Sequence, residues 1–244
     1  MEASEHPRWP PAMLDQSEWQ MSWGERFALE GLLAQLRPAV AIEIGTAQGG
    51  SLLRIANHSG EVHALDLERT EASVPGNVTL HVGDSKETLP ALLGTLAEER
   101  RNVDFALVDG DHTADGVRAD LRNLLTSPAV ERTVIVLHDT MNEETRAGIA
   151  AAGARDLDKV RLVELDFLTG YMGRLEPFTG QLWGGLGLIV VDVDPKSAVP
   201  SALDGDRRYF DSHAMVRRLG GRVGAGPAGP LRRLAARLGR GPSR

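Results

Sequence analysis

The chain has 244 residues, 27 Lys+Arg against 34 Asp+Glu for a net charge of −7, and 42% apolar residues. That is chain for about one α/β domain with a sizeable core; it excludes a mostly disordered protein and argues against general nucleic-acid binding, because an acidic body repels phosphates. The absence of Cys removes disulfides, zinc thiolate sites and cysteine nucleophiles, and fits a reducing compartment. No apolar run reaches the roughly 18–20 residues of a membrane span, and Met1 to Gln20 carries no secretory-type apolar core. The expectation is a soluble cytoplasmic protein.

The elements alternate. Trp23 to Leu36 has apolar residues at helical spacing and stops before Pro38. A strand over Ala39–Ile44 follows, then a helix over Ser51–His58 and a strand over Glu61–Leu67. Val78–Val82 is a third strand, Glu87–Arg101 a helix, and Val103–Val108 a fourth strand. Ala114–Leu125 reads as a helix, Thr133–Leu137 as a fifth strand and Glu143–Ala152 as a helix. Val160–Leu165 and Leu186–Val193 are two further strands with little helical pattern between them. Strands alternating with helices imply parallel pairing with right-handed crossovers. The last connection, rich in Gly and aromatics, suggests a long hairpin. The predicted fold is a doubly wound, seven-stranded, mostly parallel sheet with an antiparallel last strand.

In such sheets ligands bind beyond the carboxyl ends of the strands. Here those ends carry Glu43-x-Gly45, Asp66, Gly83-Asp84-Ser85, Asp109-Gly110-Asp111-His112 and His138-Asp139. The first loop runs Glu43-Ile44-Gly45-Thr46-Ala47-Gln48-Gly49-Gly50-Ser51. Its glycines permit a tight turn and close backbone approach, and the following helix points free N–H groups at the same place. It fits the dinucleotide pattern poorly, and no Lys follows to make a Walker loop. A carboxylate two residues before the first Gly disfavours phosphate and favours an ammonium group. Asp66 lies 23 residues after Glu43, near the spacing of an acid that holds ribose hydroxyls. Asp84-Ser85 is open between an acceptor for an adenine amino group and a helix N-cap.

With those residues in place, the chain resembles a class I S-adenosylmethionine-dependent methyltransferase, with a Rossmann-like fold covering Glu25 to Val193. Val108-Asp109-Gly110-Asp111-His112 and Val134-Ile135-Val136-Leu137-His138-Asp139-Thr140 resemble its small-molecule branch. That branch includes cephalosporin-hydroxylase-like proteins and the macrolide and aminocoumarin sugar O-methyltransferases. The resemblance implies that Glu43, Gly45, Thr46, Gly49 and Ser51 hold the methionine part of S-adenosylmethionine. It places Asp66 on the ribose, Asp84 and Ser85 beside the adenine, and Asp109 between cofactor and metal. The implied ligands of a divalent cation, Mg²⁺ or Mn²⁺, are Asp109, His138 and Asp139; His138 departs from the acidic pair of the sugar enzymes. It further implies a hydroxylated small-molecule acceptor and a homo-oligomer, with no nucleic-acid partner.

The acceptor must lose a proton, and His112, Asp111 and Asp109 are the candidate catalytic groups. His58, His63, His81 and His213 read as structural. The segment Phe167 to Trp183 carries Phe167, Tyr171, Met172, Phe178 and Trp183 among glycines, as a lid over an acceptor pocket or as an ordinary hairpin. The expected organisation is an N-terminal lid or interface segment over 1–24 with Trp9, Trp19 and Trp23, a catalytic domain over 25–204, and an Arg-rich tail over 205–244. That tail holds ten Arg against two Asp and reads as a solvated end rather than a docking element. N-methylation on the same fold, a D-x-D nucleotide-sugar glycosyltransferase built on Asp109-Gly110-Asp111, and a non-catalytic nucleotide-binding protein are the competing readings.

Overall fold

The computed structural model describes residues 19–70, 73–173 and 178–196. Trp9, His213 and the Arg-rich tail lie outside these residues. Helix α1 spans Trp23–Leu36, opened by a capping box in which Ser22 and Glu25 each satisfy the other's backbone N–H. Then come β1 (Val40–Ile44), α2 (Gly50–His58), β2 (Glu61–Asp66), β3 (Val78–Val82), α3 (Ser85–Glu98) and β4 (Phe105–Val108). They are followed by α4 (Ala114–Thr126), β5 (Arg132–His138), α5 (Glu143–Ala152), β6 (Val160–Leu168), β7 (Tyr171–Met172), β8 (Leu182–Trp183) and β9 (Leu186–Asp192).

Seven strands form one sheet in the order β3-β2-β1-β4-β5-β9-β6. The β1, β2, β3, β4 and β5 pairings are parallel, and β9 runs antiparallel to both β5 and β6. The antiparallel last strand is therefore an inner strand, wedged between β5 and β6. The segment expected as a lid or plain loop contains a separate two-stranded ladder, Tyr171 opposite Trp183 and Met172 opposite Leu182.

Alternation along the strands divides the core in two. Val40, Ile42, Ile44, Ala106 and Val108 face α3, α4 and α5 through Leu89, Leu121 and Ile149. Ala41, Val62, Ala64, Phe105 and Leu107 face α1 and α2 through Leu29, Leu33, Leu52 and Ile55. Each fully buried Leu or Ile is worth roughly 1.5–3 kcal/mol. The two layers hold every parallel strand with its carboxyl end on one rim, which is what brings the loops together. Helix α3 begins two residues before the expected Glu87, because Asp84 caps it by accepting from the Lys86 N–H at 2.9 Å.

Candidate functional site

Among the described residues the rim encloses a cleft of about 1170 Å³. The upper end of the usual range for one small-molecule site is about 1,000 Å³. Its floor and one wall come from the loops after β1, β2, β3, β4 and β5. The other wall comes from Trp19 to Met21, ahead of α1, and from β7 and β8.

At the β1 end the backbone is shaped by glycine. Gly45 has φ of +87°, and a Cβ there would lie 2.2 Å from the Asp109 carbonyl oxygen, so the β1 and β4 loops meet only because it is glycine. Gly49, with φ of +82°, precedes α2 and gives it no side-chain cap. The first N–H groups of α2, at Gly50 and Ser51, are left for a ligand beside Thr46. Asp66 stiffens this loop: one carboxylate oxygen accepts from the N–H groups of Thr46 at 2.7 Å and Ala47 at 2.9 Å. Asp66 also lines the cleft, as do Asp84 and Ser85.

Glu43 does not line the cleft. Strand alternation turns it to the α2 side of the sheet, with Ala41, where it is fully buried. Neither of its carboxylate oxygens makes a well-formed hydrogen bond. Burial pushes its pKa up to about 8; the Ser51 hydroxyl gives the largest opposing pull, ahead of the supporting charge of Asp109, with Thr46 and Asp66 smaller on either side. The residue expected to touch the cofactor thus lies beneath the surface of the cleft.

The β4 and β5 ends build an acid–imidazole cluster. His138 Nδ1 lies 2.8 Å from Asp109 Oδ1 and 3.4 Å from Asp139 Oδ2. His112 Nε2 lies 2.9 Å from Asp139 Oδ2 and 3.6 Å from Asp109 Oδ1. Hydrogen bonds to Asp109 and then Asp139 raise the His112 pKa to about 9. Burial opposes a charge on His138, but Asp109, Glu25 and Asp139 together outweigh it and hold the pKa well above the usual histidine value. Burial likewise works against ionising Asp109, and the two imidazoles outweigh it and lower its pKa. Asp111 stands apart: it accepts from the Thr113 N–H at 2.8 Å and lies 3.9 Å from Lys86. The D-x-D pair therefore does not converge on one ion.

Asp109, His138 and Asp139 offer ligand atoms that all lie within 4.8 Å of one another. Two carboxylates and an imidazole suit a divalent cation, which would take the place of the His138 proton between the two acids. The donor set fits the expected metal.

Sequence reasoning missed Glu25. Its carboxylate accepts from the Gly185 N–H at 2.5 Å and the Ser22 N–H at 2.6 Å, and lies 3.5 Å from His138 Nε2. Burial raises its pKa, but His138 and Ser22 more than offset this and bring it down to about 2. Asp139, in a left-handed conformation with φ of 52°, accepts from the Gly184 N–H at 2.5 Å. The two acids thus tie the β8–β9 turn to the cluster. The signal in the sequence was Ser22-x-x-Glu25, legible as a capping box, with nothing local to reveal its second partner.

The lid candidates divide. Tyr171, Met172, Phe178 and Trp183 line the cleft, whereas Phe167 and Trp23 do not. Trp183 packs edge-on against His112 at 5.7 Å and Phe178 at 5.3 Å. Trp19 lines the opposite wall, buried, with the Arg26 guanidinium over its ring. His58 pairs with Glu30, and His63 with His81, away from the cleft.

Residues 42–140 match the family described as "Methyltransferase domain". No curated protein matches the chain. Among solved structures, an O-methyltransferase from Bacillus cereus in complex with SAH superposes with a TM-score of 0.53 at 16% identity, over 75% of this chain and 92% of that one. TomG, an O-methyltransferase of Streptomyces achromogenes involved in tomaymycin synthesis and solved with SAM, gives 0.51 at 18% over 76% and 91%. The MycE methyltransferase of mycinamycin biosynthesis, solved with Mg, SAH and mycinamycin VI, gives 0.51 at 13% over 78% of this chain and 55% of that one. At these identities the likeness is one of fold.

Proposed function

We propose that this chain, whose centre is a class I S-adenosylmethionine-dependent methyltransferase domain, methylates a hydroxyl of a small molecule with a divalent cation at Asp109, His138 and Asp139. The observation that carries the reading is a convergence in one cleft. An uncapped helix and a glycine turn at one end adjoin a three-acid, two-imidazole cluster at the other.

The free N–H groups at Gly50 and Ser51 suit the carboxylate of an amino-acid moiety. Asp66 stands where ribose hydroxyls would find an acceptor, and Asp84 and Ser85 where an adenine amino group would. Bound there, S-adenosylmethionine supplies a methyl group already activated on a sulfonium. A divalent cation would lower the pKa of an acceptor hydroxyl.

The chain's own residues do the remainder. His112 and Asp139 stand together at 2.9 Å; the neutral His112 imidazole takes the hydroxyl proton and the Asp139 carboxylate stabilises the imidazolium that results. The β8–β9 turn, held by Glu25 and Asp139, keeps Trp183 over His112 and limits water. A hydroxyl is favoured over an amine, since Glu25, Asp109 and Asp139 would keep an amine protonated and without a lone pair.

Calorimetry tests the reading. S-adenosylmethionine and SAH bind at micromolar concentration, and UDP-sugars and NAD give no heat. A mass-shift screen of hydroxylated metabolites returns products 14 Da heavier, the mass of one CH₂, and EDTA suppresses them. Binding of UDP-sugars or NAD instead of SAH would overturn the methyl-transfer reading; EDTA-insensitive turnover would overturn the metal.

A further inference from the structure

We infer that Asp120, a buried acid of α4, fixes the Ser85 hydroxyl as a hydrogen-bond acceptor, so that the adenine end of the cleft selects a purine with a 6-amino group over one with a 6-oxo group. This role rests on the proposed function, which puts the adenine of S-adenosylmethionine at Asp84 and Ser85.

Asp120 belongs to the second turn of α4 and is 1% exposed. It does not line the cleft. Neither of its carboxylate oxygens makes a well-formed hydrogen bond. Lys86, which bears on it only weakly, pairs with Asp111 at 3.9 Å. A carboxylate buried without a cation or a full set of donors costs stability, so packing does not account for it.

Its polar neighbour is Ser85. That residue is the first of α3 and lines the cleft. Helices α3 and α4 pack side by side, which sets the start of α3 against the Asp120 carboxylate. Burial pushes the Asp120 pKa up to about 6; the Ser85 hydroxyl gives the largest opposing pull, ahead of the supporting charges of Asp111 and Asp84, and Lys86 pulls back least. Above that value Asp120 is ionised and can only accept. The single hydroxyl hydrogen of Ser85 then goes to Asp120, and the oxygen lone pairs are left for the cleft. Asp84 gives one carboxylate oxygen to the Lys86 N–H at 2.9 Å and likewise has no hydrogen to offer. The two side chains placed beside the adenine therefore present acceptors alone.

A 6-amino group donates to such a pair. A 6-oxo group sets an acceptor against acceptors and leaves its carbonyl without a partner there, a mismatch that a polar site rejects strongly. Asp120 touches no ligand and acts through Ser85, as a positioning residue. Replacing it by Asn changes the hydroxyl's role without changing its place: the amide N–H₂ can donate to the Ser85 oxygen and free the hydroxyl hydrogen to reach a carbonyl.

The test uses the full chain and two probes that differ at that one group, SAH and S-inosylhomocysteine, titrated by calorimetry near pH 7.5, where a carboxyl of this pKa is ionised. Wild type should bind SAH at least about tenfold more tightly than the inosyl compound. Asp120→Asn should cut that ratio severalfold and keep the melting temperature at or above the wild-type value, because it removes a buried charge. Ser85→Ala should cut the ratio to a similar extent, and adding Asp120→Asn to it should change the ratio no further. No preference in the wild type, or a ratio unmoved by Asp120→Asn, overturns the inference, as does a ratio that Asp120→Asn moves equally with and without the Ser85 hydroxyl. With SAH still bound, those outcomes leave the methyl-transfer reading standing; SAH giving no heat with the wild type overturns that reading and the Asp120 role together.

Discussion

Glu43 carries two buried carboxylate oxygens without a well-formed hydrogen bond, and burial pushes its pKa from 4.5 up to about 8. Between those values the folded chain holds a proton that the unfolded chain has lost, so stability falls as pH rises from about 4.5 to about 8, by an amount on the order of a few kcal/mol. Glu43→Gln should remove that slope and leave the protein more stable than wild type at pH 8, read from denaturant midpoints across the range; an unchanged slope would mean that Glu43 is ionised. Asp139 acts differently, because it binds His112 with one oxygen and the Gly184 N–H with the other. Asp139→Asn should lower turnover by at least about 100-fold, as for loss of an acid–base partner. It should shift the SAH affinity by less than about threefold, since the uncapped α2 end is untouched. A large loss of SAH affinity would place Asp139 in the cofactor site instead. Asp109, His138 and Asp139 were legible in the sequence because polar residues at strand ends have only one place to go. Glu43 was expected against the cofactor instead, although the alternation of β1, which turns it under α2 with Ala41, is itself a feature of the sequence. Glu25 was not, because its value comes from Gly185, 160 residues along the chain.

Between β2 and β3, His63 Nδ1 meets His81 Nε2 at 3.0 Å, and His63 Nε2 meets Glu61 at 2.9 Å. Burial lowers the pKa of both histidines. The unfolded chain takes up protons near pH 6.5 that the folded strands resist, so the pair favours folding above that pH and this contribution is lost as pH falls. Melting temperature should drop between pH 7 and 5, and the His63→Gln, His81→Gln double variant should drop less; parallel curves would remove the pair as the cause. At the other end of the sheet, the buried Arg146 of α5 donates to the Leu165 carbonyl and the Asp166 carboxylate of β6 at 3.2 and 2.9 Å. Arg146→Ala leaves that acid in a poorly solvated place and should cost about 3 kcal/mol by denaturant unfolding; a cost below about 1 kcal/mol, the level of an exposed pair, would contradict this. The elements themselves followed from periodicity: α1 and α5 match their expected spans, as does β3. The insertion of β9 between β5 and β6 did not follow, because pairing order depends on contacts between distant segments. The β7–β8 ladder is two residues per strand, too short for an alternation to register.

At the scale of the molecule, two apolar layers hold five parallel strands so that their carboxyl ends share one rim. The rim has two chemically distinct ends: an uncapped helix with glycine turns, and a cluster of acids and imidazoles under an aromatic shelf. Among the described residues no helix is long and apolar enough to cross a membrane. On the proposed reading, the division of the rim lets one cleft take a methyl donor and an acceptor side by side. The most direct measurement is a crystal structure of the protein with SAH bound. The account predicts its amino-acid end at Gly45 to Ser51, its ribose at Asp66 and its adenine at Asp84 and Ser85, leaving the space between His112 and Trp183 open. SAH across the acid cluster, or in no part of this cleft, would contradict it.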